Sequence, residues 1–161
     1  MRNVNIREIQ QSDDPAIAKV IRDVLIEHDV PRTGTAFADP ELDHMFETYN
    51  RPGSVYFVVE LDGAIVGGAG VAPLANQNEN ICELQKMYFL PEARGLGIGN
   101  TMMEKCLIEA KKLGYEKCYL ETMEYMKPAR GLYVKSGFRY LDGPMGDTGH
   151  YQCPVWMLRD L

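Results

Sequence analysis

The segment from Leu84 to Asn100 constrains the fold more than any other part of the chain. It begins as an apolar, strand-like run, turns through Gly95, Gly97 and Gly99, and continues as an amphipathic helix pattern. Glycine lets the backbone turn tightly and leaves its N–H groups unobstructed, and a helix N-terminus adds about half a positive charge. The segment therefore predicts a strand, a turn that can bind an anion such as phosphate, and a helix.

Two well-known phosphate loops do not fit this turn. The dinucleotide fingerprint G-x-G-x-x-G matches Gly95 and Gly97 but needs a third glycine where the chain has Asn100. A P-loop needs Gly-Lys-Ser/Thr, whereas the chain has Asn100 between Gly99 and Thr101. The turn is therefore either another class of anion site or a structural bend.

The rest of the chain predicts one α/β domain that covers residues 1–161. The 161 residues, 45% of them hydrophobic, suit a single core. Strand patterns cover 4–9, 54–61, 64–73, 81–90, 117–122, 138–141 and 151–158, with a hairpin signal at Asp62-Gly63. Helix patterns cover 14–28, 40–49, 128–136 and a segment after Pro91 whose apolar face is Ile98, Met102, Cys106, Ala110 and Leu113. This order predicts a mixed α/β sheet covered by helices on its faces.

Charge and hydropathy exclude several functions. The net charge of -6 argues against nucleic-acid binding, which needs clustered Lys and Arg, and mildly favours cationic substrates. No apolar run approaches the roughly 18 residues of a membrane span, and the first residues lack a signal-peptide core. We therefore expect a cytoplasmic protein that binds neither membranes nor nucleic acids.

The cysteine and histidine residues predict no metal site. Cys82, Cys106, Cys118 and Cys153 are widely spaced, so we expect reduced and mostly buried thiols. The three histidines, His28, His44 and His150, are scattered along the chain.

Two motifs resemble the GNAT superfamily of acetyl-CoA-dependent N-acetyltransferases. Arg94 to Gly99 fits its pyrophosphate motif, Q/R-x-x-G-x-G/A, and Met87 to Pro91 resembles the end of its fourth strand. Residues 129–138 resemble its A-x-x-L-Y-x-x-x-G-F segment, at a similar distance downstream. The resemblance, strong from about Val55 to Phe138, implies the GNAT fold, with a mixed central sheet of six to seven strands, helices on both faces, and acetyl-CoA as cosubstrate.

The resemblance also implies which residues contact the cosubstrate. The fourth and fifth strands of the family splay apart at a bulge, and the pantetheine pairs with the fourth strand. Where the family commonly has an Asn that touches the cofactor, this chain has Met126. The implied backbone contacts to the pantetheine are Met87, Tyr88 and Phe89, and the implied phosphate contacts are Arg94, Gly95, Leu96, Gly97, Ile98, Gly99 and Asn100.

Direct acetyl transfer needs a base for the amine, support for the oxyanion and an acid for the leaving thiolate. Glu121 is the first candidate base, because its spacing to Tyr133 resembles the base-to-acid spacing of family members that acetylate protein N-termini. The alternative is that Glu121 is simply an exposed carboxylate at the end of a strand. Glu83 is the second candidate, and the two glutamates can share a water. The resemblance points to the backbone N–H near Met87 for the oxyanion and to Tyr133 as the acid, unless Tyr133 merely packs in the core. It also places His150 in a connection that often borders the acceptor pocket.

The main hypothesis is therefore acetyl transfer from acetyl-CoA to a primary amine of a small molecule or a peptide N-terminus, in a ternary complex. The segments 30–50 and 143–151 would select the acceptor, which the sequence does not identify. Two alternatives stay open: a non-catalytic sensor that binds acyl-CoA, and acyl transfer to oxygen or with a longer acyl chain. A homodimer through the C-terminal strands, around Trp156, is also compatible with the resemblance.

Overall fold

A computed structural model of the chain describes residues 2–75, 77, 80–123 and 127–161. The strands are β1 (Val4–Glu8), β2 (Val55–Leu61), β3 (Ala64–Pro73), β4 (Ile81–Phe89), β5 (Lys117–Thr122), β6 (Arg139–Leu141) and β7 (Val155–Asp160). The α-helices are α1 (Asp14–Glu27), α2 (Met45–Tyr49), α3 (Ile98–Lys112) and α4 (Lys127–Lys135). Within the described residues the seven strands form one sheet in the order β1-β2-β3-β4-β5-β7-β6, so the predicted mixed sheet is confirmed.

The helices cover both faces of the sheet, as predicted. The alternation of β2 sends Tyr56 and Val58 to the face covered by α1 and α2, where Ile17 and Ile21 pack. Phe57 and Val59 point to the opposite face, where the core contains residues of α3 and α4. These core residues are Met102, Cys106, Ala110 and Tyr133.

The predicted hairpin between β2 and β3 is confirmed. Asp62 has φ 51° and Gly63 has φ 87°. Two successive residues with positive φ are what a two-residue type I′ turn requires, and its twist matches that of the flanking strands.

Two predicted elements differ from the structure near the acceptor segments. The single helix predicted over 40–49 is instead a 3₁₀ turn (Pro40–Asp43) followed by α2. The Asp14 carboxylate accepts a hydrogen bond from Phe46 N and so caps the start of α2 as a separate helix. The strand predicted over 151–158 starts only at Val155, because the preceding residues turn back: Cys153 N donates to His150 O.

The apolar face predicted for α3 is also one residue too long. Leu113 lies just beyond the helix end at Lys112 and is 41% exposed, so it is not part of the buried face. The chain leaves the helix at Gly114, which has φ 96° and accommodates a left-handed conformation that other residues adopt only with strain.

A bulge and a divergence of two strands create space at the centre of the sheet. The β3–β4 register shifts between Gly68 and Gly70, opposite Lys86, which has φ 52°. The parallel strands β4 and β5 pair only from Ile81–Lys117 to Glu83–Tyr119, although both strands continue further. The strands therefore separate beyond Glu83, and the gap opens into the candidate site.

Candidate functional site

The glycine-rich turn lines a cleft of about 290 Å³ between the end of β4, the start of α3 and the helices α1 and α4. Gly95 and Gly97 both have φ 76°, and a Cβ atom at either position would meet nothing within 4 Å. The turn therefore leaves its backbone open at the N-terminus of α3, as an anion site requires. Its lining residues include Val24 of α1 and His28, the residue after α1, neither of which the sequence analysis assigned to a cosubstrate site.

Eight of the ten predicted cosubstrate residues line this cleft, and two do not. Leu96 is 46% exposed and lies outside the lining. Asn100 lies along a separate surface groove beside Met103. The eight that line the cleft are Met87, Tyr88, Phe89, Arg94, Gly95, Gly97, Ile98 and Gly99.

The guanidinium group of Arg94 is already paired with a carboxylate. Its two terminal nitrogens lie 2.8 Å from the oxygens of Glu27, the last residue of α1, and it also donates to Phe89 O at 2.8 Å. This bidentate pair joins α1 to the glycine turn. In this conformation the groups directed at an anion are the backbone N–H groups of the turn and of α3.

A second, smaller cavity of about 50 Å³ occupies the gap between β4 and β5. It is bordered by Thr35 and Ala36 from the segment after α1 and by His150 and Cys153 from the segment before β7. Thr35, Ala36 and His150 lie in the two segments, 30–50 and 143–151, in which we expected acceptor selectivity, and Cys153 lies just beyond the second. The small cavity and the cleft share Met87, Tyr88 and Tyr133, so these residues separate and connect the two spaces.

Tyr133 stands between the two cavities with an unused hydroxyl group. The residue is 7% exposed, and its ring packs edge-on against Phe138 with 6.2 Å between centroids. Burial raises the pKa of Tyr133 to about 12, so the phenol is protonated at neutral pH. In the described part of the chain no group hydrogen-bonds to this hydroxyl, which leaves it available to a bound molecule.

Glu83 is buried at the end of the paired region of β4 and is 5% exposed. Its carboxylate accepts one hydrogen bond, of 2.6 Å, from Gln85 Nε2, and Gln85 Oε1 in turn accepts one of 2.6 Å from the Tyr49 hydroxyl. Burial raises the pKa of Glu83 to about 7, and the hydrogen bond from Gln85 only partly opposes this rise. At neutral pH a larger share of this carboxyl group is therefore protonated than of an exposed glutamate.

The side chain of Glu121 is buried too, although the residue as a whole is partly exposed, and both of its carboxylate oxygens accept hydrogen bonds. Its side chain is 4% exposed. One oxygen accepts a hydrogen bond of 2.6 Å from the Tyr119 hydroxyl, and the other accepts one from the Thr148 hydroxyl. The alternative of an exposed strand-end carboxylate is therefore excluded by the structure.

His150 completes a cluster with the two glutamates. Its Nε2 lies 2.9 Å from both oxygens of Asp39 and must donate to them, because a carboxylate only accepts; Nδ1 lies 4.0 Å from Glu121 Oε1. Burial lowers the pKa of His150, but the hydrogen bond and charge of Asp39 outweigh it, so the pKa lies above its usual value. Ligand atoms of Glu83, Glu121 and His150 lie within 4.8 Å of one another, a spacing that can surround one small cation such as an alkylammonium group or a metal ion.

The cysteines lie as free thiols, as predicted, but one of them borders the second cavity. Cys82, Cys106 and Cys118 are buried, whereas Cys153 is partly exposed and lines the cavity. Burial raises the pKa of Cys153 to about 12, so it carries a protonated thiol with little nucleophilic character at neutral pH. Met126, at the position of the family's cofactor-binding Asn, lies outside the described residues. The described helices are all too short or too polar to cross a membrane.

Comparison with known proteins agrees with this geometry. Residues 22–138 match the family model described as "Acetyltransferase (GNAT) family". The chain is 45% identical over 157 residues, 97% of this chain and 94% of the relative, to the "Uncharacterized N-acetyltransferase YjgM" of Escherichia coli K12. It is 36% identical over 120 residues, 74% of this chain and 36% of the relative, to the N-acetylaspartate synthetase of Homo sapiens. The solved PaiA N-acetyltransferase from Thermoplasma acidophilum, in complex with coenzyme A, has a TM-score of 0.77 at 18% identity, with 99% of each chain covered.

Proposed function

The chain belongs to the GNAT family of acetyltransferases, and on this premise we propose that Glu83 and Tyr133 carry its transfer of an acetyl group from acetyl-CoA to a primary amine. The observation that carries this proposal is the position of Tyr133. It lines both the cleft that contains the glycine turn and the cavity that contains Glu83.

The cleft supports the cosubstrate side of the reaction. Acetyl-CoA supplies the thioester whose acetyl group is transferred. The N–H groups of the glycine turn and the N-terminus of α3 favour binding of its pyrophosphate. The backbone of β4 from Met87 to Phe89 no longer pairs with β5, so the edge that faces β5 is free to pair with the pantetheine. The Met87 N–H is the candidate donor to the oxyanion that forms at the thioester carbon.

Glu83 is better suited than Glu121 to serve as the base, which reverses the order that the sequence favoured. An alkylamine with a pKa of about 10 is neutral in roughly one molecule in a thousand at pH 7, so removal of a proton assists attack. With its pKa near 7, Glu83 can take that proton and release it again. Glu121 already accepts two hydrogen bonds, so it is better placed to hold the ammonium group or a bridging water.

An alkylammonium acceptor loses two protons in the reaction. Glu83 takes the first, directly or through water, and later releases it to solvent. The neutral nitrogen attacks the thioester carbon and forms the C–N bond, and the C–S bond breaks as the oxyanion collapses. The Tyr133 hydroxyl gives its proton to the departing sulfur and regains one, through water, as nitrogen loses its second proton. The products are the amide, the coenzyme A thiol and one proton released to solvent.

Thiol release over a panel of primary amines tests this assignment. Replacing Glu83→Gln removes the base while keeping its shape, so we expect kcat to fall by about 100-fold or more; Tyr133→Phe removes only the hydroxyl, and we expect a loss of at least about tenfold. Glu104→Gln and Tyr140→Phe, at exposed positions, serve as matched controls with unchanged rates. Acetyl-CoA affinity, measured by calorimetry, should be unchanged in Glu83→Gln.

The same assay separates the enzyme from an acyl-CoA sensor. Binding of acetyl-CoA without amine-dependent thiol release across the panel would support the sensor. Wild-type rates in both Glu83→Gln and Tyr133→Phe would show that these side chains are not the catalytic groups.

A further inference from the structure

The acceptor cavity contains two basic side chains that are both already paired with acids. Lys86 is 3% exposed, and its Nζ lies 3.2 Å from an oxygen of Asp39 and 3.2 Å from an oxygen of Glu41. His150 donates to the same Asp39 at 2.9 Å. Among the described residues that line the cavity, Lys86 and His150 are the only basic ones. The cavity therefore offers an incoming anion no uncompensated positive charge from that part of the chain.

Asp39 connects three of the segments that surround the cavity. It lies between the 3₁₀ turns Ala36–Ala38 and Pro40–Asp43, and its side chain is 13% exposed. Its partners are Lys86, at the bulge of β4, and His150, in the segment before β7. One carboxylate thus sets both the shape and the charge of this wall.

Two carboxylates lie beside His150 in the same cavity. Glu83 and Glu121 face the space in which the amine must lie, and their oxygens are within 4.8 Å of each other. An ammonium group is attracted to this position. A carboxylate on the carbon that bears the amine would be held only a few ångströms from both glutamates, where like charges repel in a poorly solvated space.

We propose that Asp39 is a specificity-determining residue that, by neutralising Lys86 and His150, restricts the acceptor to primary amines without a carboxylate on the amine-bearing carbon. This inference rests on the proposed function. It excludes free amino acids as good acceptors and retains alkylamines and peptide N-termini, whose neighbouring carbonyl is an uncharged amide. It also separates this chain from its human relative, whose name refers to acetylaspartate.

Matched pairs of acceptors test the proposal. Each amine is offered beside the amino acid of the same skeleton: phenethylamine and phenylalanine, tyramine and tyrosine, agmatine and arginine, with phenylalaninamide as an uncharged α-substituted case. In the wild type we expect kcat/KM to favour the amine over the amino acid by about tenfold or more in each pair that is used. Phenylalaninamide should behave as phenethylamine does.

Asp39→Asn keeps the shape of the side chain but leaves the charges of Lys86 and His150 less compensated. We expect the preference for the amine to fall by roughly tenfold, mainly through a lower KM for the amino acid. Glu41→Gln, which removes one partner of Lys86 only, should give a smaller change in the same direction. Asp43→Asn, in the same segment but paired with Arg22 at the surface, is the control with an unchanged ratio.

Calorimetry measures the affinity of the amine and of the amino acid in each pair for the protein loaded with coenzyme A, and so tests the selectivity independently of turnover. Tighter binding of the amine supports the selectivity even if no thiol is released, a result that would contradict the proposed function alone. Equal or tighter binding of the amino acid by the wild type would overturn the selectivity. An unchanged ratio in an Asp39→Asn protein with wild-type melting temperature and acetyl-CoA affinity would overturn the role of Asp39.

Discussion

At the scale of single residues, Glu83 shows how burial produces a useful base. Among the residues that the structure describes, this carboxyl group has one hydrogen-bond donor, Gln85, although an ionised carboxylate can accept several. His150 and Lys86 favour its ionised form, Glu121 disfavours it, and burial dominates. A pKa near 7 therefore suits proton transfer, but the same burial makes ionisation of Glu83 costly to the fold.

The free energy of unfolding should record that cost. The pKa of Glu83 is raised from 4.5 in the unfolded chain to about 7 in the fold, so the group costs nothing below pH 4.5 and its full penalty is present above pH 7. Glu83→Gln has no such penalty, and we expect it to be more stable than the wild type at pH 8 by up to about 3 kcal/mol, and by much less at pH 4.

Chemical denaturation at the two pH values measures this difference, with Glu104→Gln as the exposed control. A Glu83→Gln protein that is less stable than the wild type at pH 8 would contradict the assignment of a strained, buried carboxylate at this position.

At the scale of elements, the glycine turn and the β2–β3 hairpin contain glycines with the same left-handed backbone conformation, but only the first contributes to the candidate site. Gly97, which precedes α3, and Gly63, in the hairpin, both have positive φ and both have open space where a Cβ would lie. Any side chain at either position therefore brings backbone strain without a steric clash. Only Gly97 also lines the cleft.

This pairing yields a controlled prediction for the cleft. Gly97→Ala and Gly63→Ala should each destabilise the fold by about 1 kcal/mol, because both force alanine into the left-handed region. Only Gly97→Ala should weaken acetyl-CoA binding, by roughly tenfold, because strain relief there moves N–H groups that hold a charged phosphate. Calorimetric titration of both variants with acetyl-CoA checks this. If Gly97→Ala binds acetyl-CoA as tightly as Gly63→Ala and the wild type do, the turn is a structural bend and not a phosphate site.

The sequence predicted most strands, turns and helices well, because the residues that determine each of these elements lie close together along the chain. The Asp62-Gly63 turn, the strand-turn-helix unit around Gly97 and the apolar face of α3 were all readable in this way. Where the pattern failed, a distant contact is present: the Asp14 carboxylate in α1 accepts a hydrogen bond from Phe46 N in the first turn of α2, separate from the turn that ends at Asp43.

At the scale of the whole molecule, the site arises where the sheet stops being continuous. β4 and β5 pair only as far as Glu83, and the space beyond contains side chains from both strands and from two loops. Asp39 and His150, which are hydrogen-bonded to each other beside it, are 111 residues apart in sequence. No local pattern encodes such a contact.

This explains why the candidate base was ranked differently by sequence and by structure. Glu121 was favoured from its spacing to Tyr133 along the chain. Our proposal favours Glu83 because its carboxylate accepts fewer hydrogen bonds than that of Glu121 and its pKa is raised to about 7, two properties that depend on the folded surroundings. The signal that was available for Lys86 was a second charged residue, besides Glu83, inside a predicted strand.

Direct transfer between the two cavities is tested most directly by initial velocities over a matrix of acetyl-CoA and amine concentrations. Because the cavities meet at Tyr133 and the Cys153 thiol is protonated, we expect intersecting double-reciprocal lines, as for a ternary complex, and an intact protein mass that shows no acetylation by acetyl-CoA alone. Parallel lines together with an acetyl group on Cys153 would contradict direct transfer and establish a covalent intermediate instead.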